Sequence, residues 1–111
     1  MKKMNLKLYK NNNLILDYKN IPCIKNNNMS FILNKDKYTI SNQAFTKITE
    51  SEKIILDFKN EKCIIELLEN NNKLNLDIKL IEYKDSSTNI DIIYKIETEE
   101  NILNRIFIEY I

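Results

Sequence analysis

Short runs of alternating apolar and polar residues, broken at intervals of roughly ten residues by asparagine-rich stretches, constrain this chain more than any other feature. In LLENNNKLNLDIKLIEY (residues 67–83), Leu74, Leu76, Ile78 and Leu80 alternate with Asn75, Asp77, Lys79 and Ile81. A period of two sends one set to one face of a strand and the other set to the opposite face. NIDIIYKIE turns Ile90, Ile92, Tyr94 and Ile96 inward and Asp91, Ile93, Lys95 and Glu97 outward. EKIILDF sets Ile54, Leu56 and Phe58 against Lys53, Ile55 and Asp57, and RIFIEYI sets Ile106, Ile108 and Tyr110 against Arg105, Phe107 and Glu109. MNLKLY, LILDY, MSFIL and KYTIS are each the length of one strand. Their Ile, Tyr, Phe and Thr suit a pleated, half-buried surface.

The breaks are KNNN (twice), NKD, KNE, ENNN and KDSS. The chain has no glycine, and asparagine is the residue that best replaces it where a tight turn needs the left-handed backbone. The asparagine triplets therefore read as hairpin connections. No connection is long enough for a crossover helix, so the expected fold is a single all-β domain, residues 1–111, an antiparallel sandwich or barrel. Two segments compete with this reading. Phe45, Ile48, Glu52 and Ile55 stand at helical spacing, as do Ile64, Leu67 and Leu68. Residues 43–51 and 61–69 are nevertheless assigned to strands, because their neighbours are strands and Thr and Ile are indifferent helix formers.

Composition mainly excludes. Seventeen basic residues against sixteen acidic leave a net charge of +1, without the basic excess that binding to nucleic acid requires. A polybasic membrane anchor is excluded in the same way. Val, His and Trp are absent, and Ala44, Arg105 and Pro22 are single occurrences, while Ile, Lys and Asn abound. That is the codon bias of an AT-rich genome. The start MKKMNLKLYK has no apolar core, and no run is long enough to span a bilayer, so the expected location is the cytoplasm. Cys23 and Cys63 lie in apolar context, far apart and without histidine. They are expected to be buried core thiols, with no metal site and no disulfide implied.

Chemistry-bearing patterns are few. Without glycine there is no phosphate-cradling loop, and without histidine no Ser-His-Asp or Cys-His arrangement. Asp17, Asp57, Asp77, Asp91, Glu66 and Glu109 lie beside Lys7, Lys53, Lys79 or Lys95 and read as cross-strand ion pairs. The ten aromatic residues read as packing, because the lysines are spread too evenly to form a nucleic-acid groove beside the rings.

Two stretches carry a resemblance. FTKITESEKIILDF and IDIIYKIE are similar to segments of the YwiB-like bacterial domain family of unknown function, over about residues 29–111. The resemblance implies a small calycin-type, lipocalin-like barrel, with Phe45, Lys47, Leu56 and Phe58 on one hairpin and Ile90, Ile92, Tyr94 and Ile96 on a late strand. Lys47 stands where the family pattern has arginine, and Asn70, Asn71 and Asn72 replace a glycine-bearing turn. The expected fold is thus an antiparallel meander closing into a barrel of about eight to ten strands. The expected function is non-enzymatic binding of a small apolar or amphipathic ligand by Phe45, Lys47, Phe58 and Tyr94, without a cofactor. The alternative is a protein-interaction module, an adaptor or inhibitor, using outward Ile55, Ile81, Ile93, Phe107 and Ile111. Were the chain an enzyme, Lys47 with Asp57 in a barrel mouth would be its site.

Overall fold

Every asparagine-rich break lies at a chain reversal, and the backbone shows why. In the computed structural model, which describes residues 2–111, nine residues take positive φ, and six of them are asparagine. Three turns place two such residues in succession: Asn11 (49°) with Asn12 (66°), Asn34 (52°) with Lys35 (74°), and Asn42 (52°) with Gln43 (60°). This is the hairpin turn whose twist matches the flanking strands, and each begins with asparagine. The other two triplets use the side chain, in one of them beside a positive φ at Asn71 (58°). The amide N–H groups of Asn28 and Asn72 donate to Oδ1 of Asn26 and Asn70, both at 3.1 Å, closing the same side-chain turn twice.

Between the turns run ten strands: β1 (Lys2–Lys10), β2 (Asn13–Lys25), β3 (Met29–Leu33), β4 (Asp36–Ser41), β5 (Ala44–Ile48), β6 (Glu52–Asp57), β7 (Lys62–Leu67), β8 (Lys73–Asp85), β9 (Asn89–Ile96) and β10 (Asn104–Tyr110). Each pairs antiparallel with its neighbours in sequence, and β1 pairs with β10, from Met4↔Tyr110 to Lys10↔Asn104, to close a meander barrel. The segments with helical spacing are strands. The pattern running from Phe45 to Ile55 is cut at residues 49–51, where Thr49 Oγ1 accepts the N–H groups of Ser51 and Glu52 and turns the chain. The only helical element among the described residues is a 3₁₀ turn, Glu97–Glu99, and no helix there is long and apolar enough to cross a membrane.

Eight strands enclose a lumen that side chains just fill, so ten need larger filling. Rings supply it. Phe31 stacks on Tyr38 at 4.8 Å, and Phe58 meets Tyr94 at 5.2 Å and Tyr83 at 6.0 Å, near the edge-to-face range. Around Phe58, the side chains of Met4, Leu6, Ile90, Ile92 and Ile108 are almost free of solvent. Cys23 and Cys63 are buried free thiols, and burial pushes both pKa values up.

The strands are unequal, which breaks the symmetry of the wall. β8 pairs with β7 through its first half and with β9 through its second. A bulge at Ile81 shifts the inward set from Leu80 to Tyr83, so the alternation expected through Ile81 fails there. β2 pairs with β1 along most of its length but with β3 only at Cys23, Ile24 and Lys25. The ladder to β3 ends at Pro22, a residue that cannot donate to it. Two register shifts, opposite Asn5 and between Leu16 and Leu14, bend β2 further.

Lys35 has neither the side chain nor the freedom to favour its left-handed backbone (φ 74°). Replacing it should relieve about 1–2 kcal/mol of backbone strain, less the entropy glycine adds to the unfolded chain. Lys35→Gly is expected to stabilise by about 0.5–1 kcal/mol in urea unfolding, and Lys35→Val to destabilise by at least as much.

Candidate functional site

The β3–β4 hairpin stops at Leu33 and Asp36, whereas β2 continues past it to Asn13. The gap between them opens into the lower barrel, the end where Lys10 pairs with Asn104, as a cleft of about 310 Å³. Leu16 and Tyr18 of β2 form one lip, and Leu33, Asn34 and Asp36 form the other. Leu6, Leu8, Leu56, Tyr94 and Ile106 make the apolar interior, and Tyr38, Phe45 and Lys47 complete the wall.

Alternation positions these groups. Phe45 and Lys47 are two apart on β5 and share the inner face, Lys47 standing opposite Tyr38 on one side and Ile54 on the other. The ammonium lies 5.7 Å from the centre of the Tyr38 ring, within cation–π range. Among the described residues Lys47 forms no ion pair. Asp36 also lines the cleft, one inward position beyond Tyr38 on β4. Burial drives the Tyr94 phenol pKa far above its usual range, so it stays protonated and able to donate a hydrogen bond.

Three of the four expected ligand-binding residues, Phe45, Lys47 and Tyr94, are therefore brought together in one cleft. Phe58 is not part of it. It is 1% exposed and packs behind Tyr94, where it supports the wall. The pairing of Lys47 with Asp57 does not exist. Leu56 points inward, so Asp57 points outward, where its carboxylate accepts the amide N–H (3.1 Å) and side-chain N–H (2.8 Å) of Asn60 to build the β6–β7 turn.

The expected interaction face is divided. Ile93 and Phe107 flank Arg105, whose guanidinium lies 5.2 Å from the Phe107 ring and 5.3 Å from Tyr9. That stacking leaves both half-buried. Ile81 is exposed in the β8 bulge, and Ile55 sits strands away between Thr46 and Ile64. Ile111 is exposed at the far end, where its amide N–H donates to the Lys3 carbonyl. The larger exposed apolar groups lie elsewhere: Leu14, Ile15 and Leu16 on β2, and Ile24 and Ile32 around an outer concavity of about 460 Å³ beside Pro22.

Ion pairing also departs from the sequence expectation. Arg105 grips Asp91 in two parallel bonds of 2.8 and 2.7 Å, which raises the arginine pKa further. Asp77 pairs with Lys62, while Lys79 and Lys95 face each other across β8 and β9 as like charges. Lys62 holds Asp77 below its ordinary pKa, and the neighbouring Asp77 carboxylate raises that of Glu97. No group of acidic or cysteine side chains suited to a metal ion occurs among the described residues.

One donor of the lower barrel was missed by sequence reasoning. Asn104 points inward from β10, two residues before Ile106, is 9% exposed, and its Nδ2 has no partner. No family model, curated protein or solved structure matches this chain.

A buried, unpaired amide donor costs roughly 1–3 kcal/mol. Asn104→Leu, close in volume, is expected to raise the unfolding free energy by about 1 kcal/mol in urea. A loss of stability would show that the amide is satisfied in solution.

Proposed function

We propose that this barrel binds a compact amphipathic anion, such as a short-chain or aromatic carboxylate, in the cleft beside Lys47. The observation that carries the reading is an unpaired ammonium in a concavity whose interior is apolar, with Asn34 and Asp36 on one lip. Ligand sites are concave and mostly apolar, with a few placed polar groups, and run from about 300 to 1,000 Å³. A cleft of about 310 Å³ is at the small end, which suits a ligand of few atoms. The apolar body of the ligand lies against Leu8, Leu56, Phe45 and Ile106, and its carboxylate meets the Lys47 ammonium. Lysine supplies a point charge without the planar fork of arginine, so it sets the sign of the head group more than its geometry. Asp36 opposes the same anion from the other lip and lowers the affinity.

The same proposal has the protein hold this ligand without transforming it; Asp57, the acid expected beside Lys47, builds a turn on the outer face. Kinship with the YwiB-like family and its calycin barrels belongs to the same proposal. FTKITESEKIILDF falls on β5 and β6 and IDIIYKIE on β9, and Phe45, Lys47, Leu56 and Tyr94, four of the positions carrying the resemblance, line the cleft. A bacterial cytoplasm suits two buried free thiols. The interaction module on Ile55, Ile81, Ile93 and Phe107 has weaker support, because Arg105 occupies the middle of that face.

Displacement of anilinonaphthalene sulfonate, followed by fluorescence, tests the reading. Octanoate is expected to compete for the cleft and octylammonium to compete poorly. Lys47→Gln should weaken octanoate about tenfold, the loss of one charge-assisted hydrogen bond, and Asp36→Asn should strengthen it several-fold. Equal competition by octanoate and octylammonium, or an unchanged Lys47→Gln variant, would overturn the proposal.

A further inference from the structure

We propose that the outer face of β1–β4, centred on Pro22, Ile24 and Ile32, docks an acidic segment of a partner protein. Its carboxylates meet the surrounding lysines, and an apolar side chain enters the hollow between them. The lysines are spread evenly along the chain, but the acids are not. Through the end of β5, residues 1–48 carry nine lysines against Asp17 and Asp36, a net charge of +7. Residues 49–111 carry eight basic residues against fourteen acidic, a net charge of −6. Because the barrel is a meander, these two stretches of sequence form two adjoining halves of its wall. All three ion pairs among the described residues, Lys62–Asp77, Lys84–Glu82 and Arg105–Asp91, lie in the acidic half. In the basic half no described lysine has a carboxylate within ion-pair distance, and Lys2, Lys25 and Lys47 rest on tyrosine rings instead.

Alternation selects what this half shows to solvent. Met4, Cys23, Phe31 and Ile40 are buried, so Lys3, Pro22, Ile24, Ile32 and Lys37 face outward. Ile32 and Ile24 are 67% and 65% exposed, the most of any large apolar side chains described, and with Pro22 they line a hollow of about 460 Å³. Lys3 on β1 stands opposite Pro22 and Lys37 on β4 opposite Ile32, so a lysine closes each side of it. Lys19 and Lys35 are exposed toward the lower end of the same strands. The one outward acid there, Asp17, stands opposite Lys7. An exposed apolar patch rimmed by one sign of charge marks an interaction surface, and the sign selects the partner. The hollow decides the partner's class. A flat bilayer leaves a recess unfilled, whereas a protein side chain enters it. A single-stranded nucleic acid stacks its bases on exposed rings, and the one ring lining the hollow, Phe31, is buried. A second copy does not complement the face either. Outward rows of the acidic half alternate in sign, Lys53 with Asp57 on β6 and Asp91 with Lys95 on β9.

The test follows amide signals of the ¹⁵N-labelled full chain on titration with synthetic peptides. One is Glu-Glu-Leu-Phe-Glu-Glu, one replaces its glutamates by lysine, and one replaces its leucine and phenylalanine by serine. The acidic peptide is expected to shift the signals of Ile24, Ile32 and Lys37, and raising sodium chloride from about 50 to about 500 mM should weaken it about tenfold. Lys3→Glu combined with Lys37→Glu should weaken it about tenfold, and Ile32→Ser about threefold. All three positions are exposed, and thermal unfolding checks that the variants stay folded. Lys47→Gln should leave peptide affinity unchanged, so this result stands apart from ligand binding in the cleft. No binding of the acidic peptide, equal binding of the lysine or serine peptide, or shifts confined to β6–β10 would each overturn the proposal. So would an unchanged double lysine variant, tighter binding of phosphatidylserine vesicles or duplex DNA than of the acidic peptide, or self-association of the free protein through this face at low salt.

Discussion

The pairing of β1 with β10 is the contact on which the rest of the barrel depends. Every other pair of neighbouring strands is consecutive in the chain and forms locally. This pair joins the two ends, and it brings Leu6 opposite Ile108 and Met4 opposite Tyr110. Met4, Leu6, Ile106 and Ile108 are among the most buried side chains, so the core is incomplete until the ends meet. Closing a loop of about a hundred residues costs about 4 kcal/mol by the logarithmic law. Burying large aliphatic side chains contributes roughly 1.5–3 kcal/mol each, enough to favour closure. The closing step is also the most non-local one, which places it late in folding.

A tightly paired closing seam leaves the irregularity elsewhere. β1 is held by long ladders on both sides, and β2 inherits the mismatch. Pro22 ends its ladder to β3, and the two-residue turn at Asn34 and Lys35 ends β3 before β2 has run its length. The lateral cleft follows from these two local facts. Nothing about the inner side chains demands it. Tyr38 and Tyr94, two of the rings that fill the lumen, also line its lower opening, with Tyr94 touching both the packed core through Phe58 and the cleft.

The features legible in the sequence were those set within a few residues. Alternation located the strands, and asparagine in a glycine-free chain located the turns, because left-handed backbone is a requirement of single residues. Ordered short strands without crossover connections then allow little besides a meander. What could not be read was register. The bulge at Ile81 inverts the faces of β8 beyond it, and no residue in the alternating string marks the spot. Asp57 was misplaced for a related reason. Its distance from Lys47 depends on which faces of two strands it and Lys47 occupy, and its own turn competes for it. Arg105 reached Asp91 across strands where a lysine was expected, since only the arginine fork fills both carboxylate oxygens. The grouping of Phe45, Lys47 and Tyr94 was legible because all three follow strict alternation on regular strands.

Departures from the ordinary rules of a folded chain occur at both ends of this molecule. The upper barrel is filled by large buried side chains, yet the buried Tyr110 hydroxyl opposite Met4 has no partner. The lower half holds an unpaired lysine facing inward, an inward asparagine donor without a partner, and a strand edge with three exposed apolar side chains. Each departs from a different rule: charge pairing, polar satisfaction and edge protection. Natural chains tend to break such rules where function requires it. Two of them share one physical origin, the short β3. A longer β3–β4 hairpin would pair the β2 edge and cover Lys47 together, so the length of one five-residue strand keeps both surfaces open. The cleft and the unpaired edge nonetheless meet at Leu16, which lines the one and is exposed along the other.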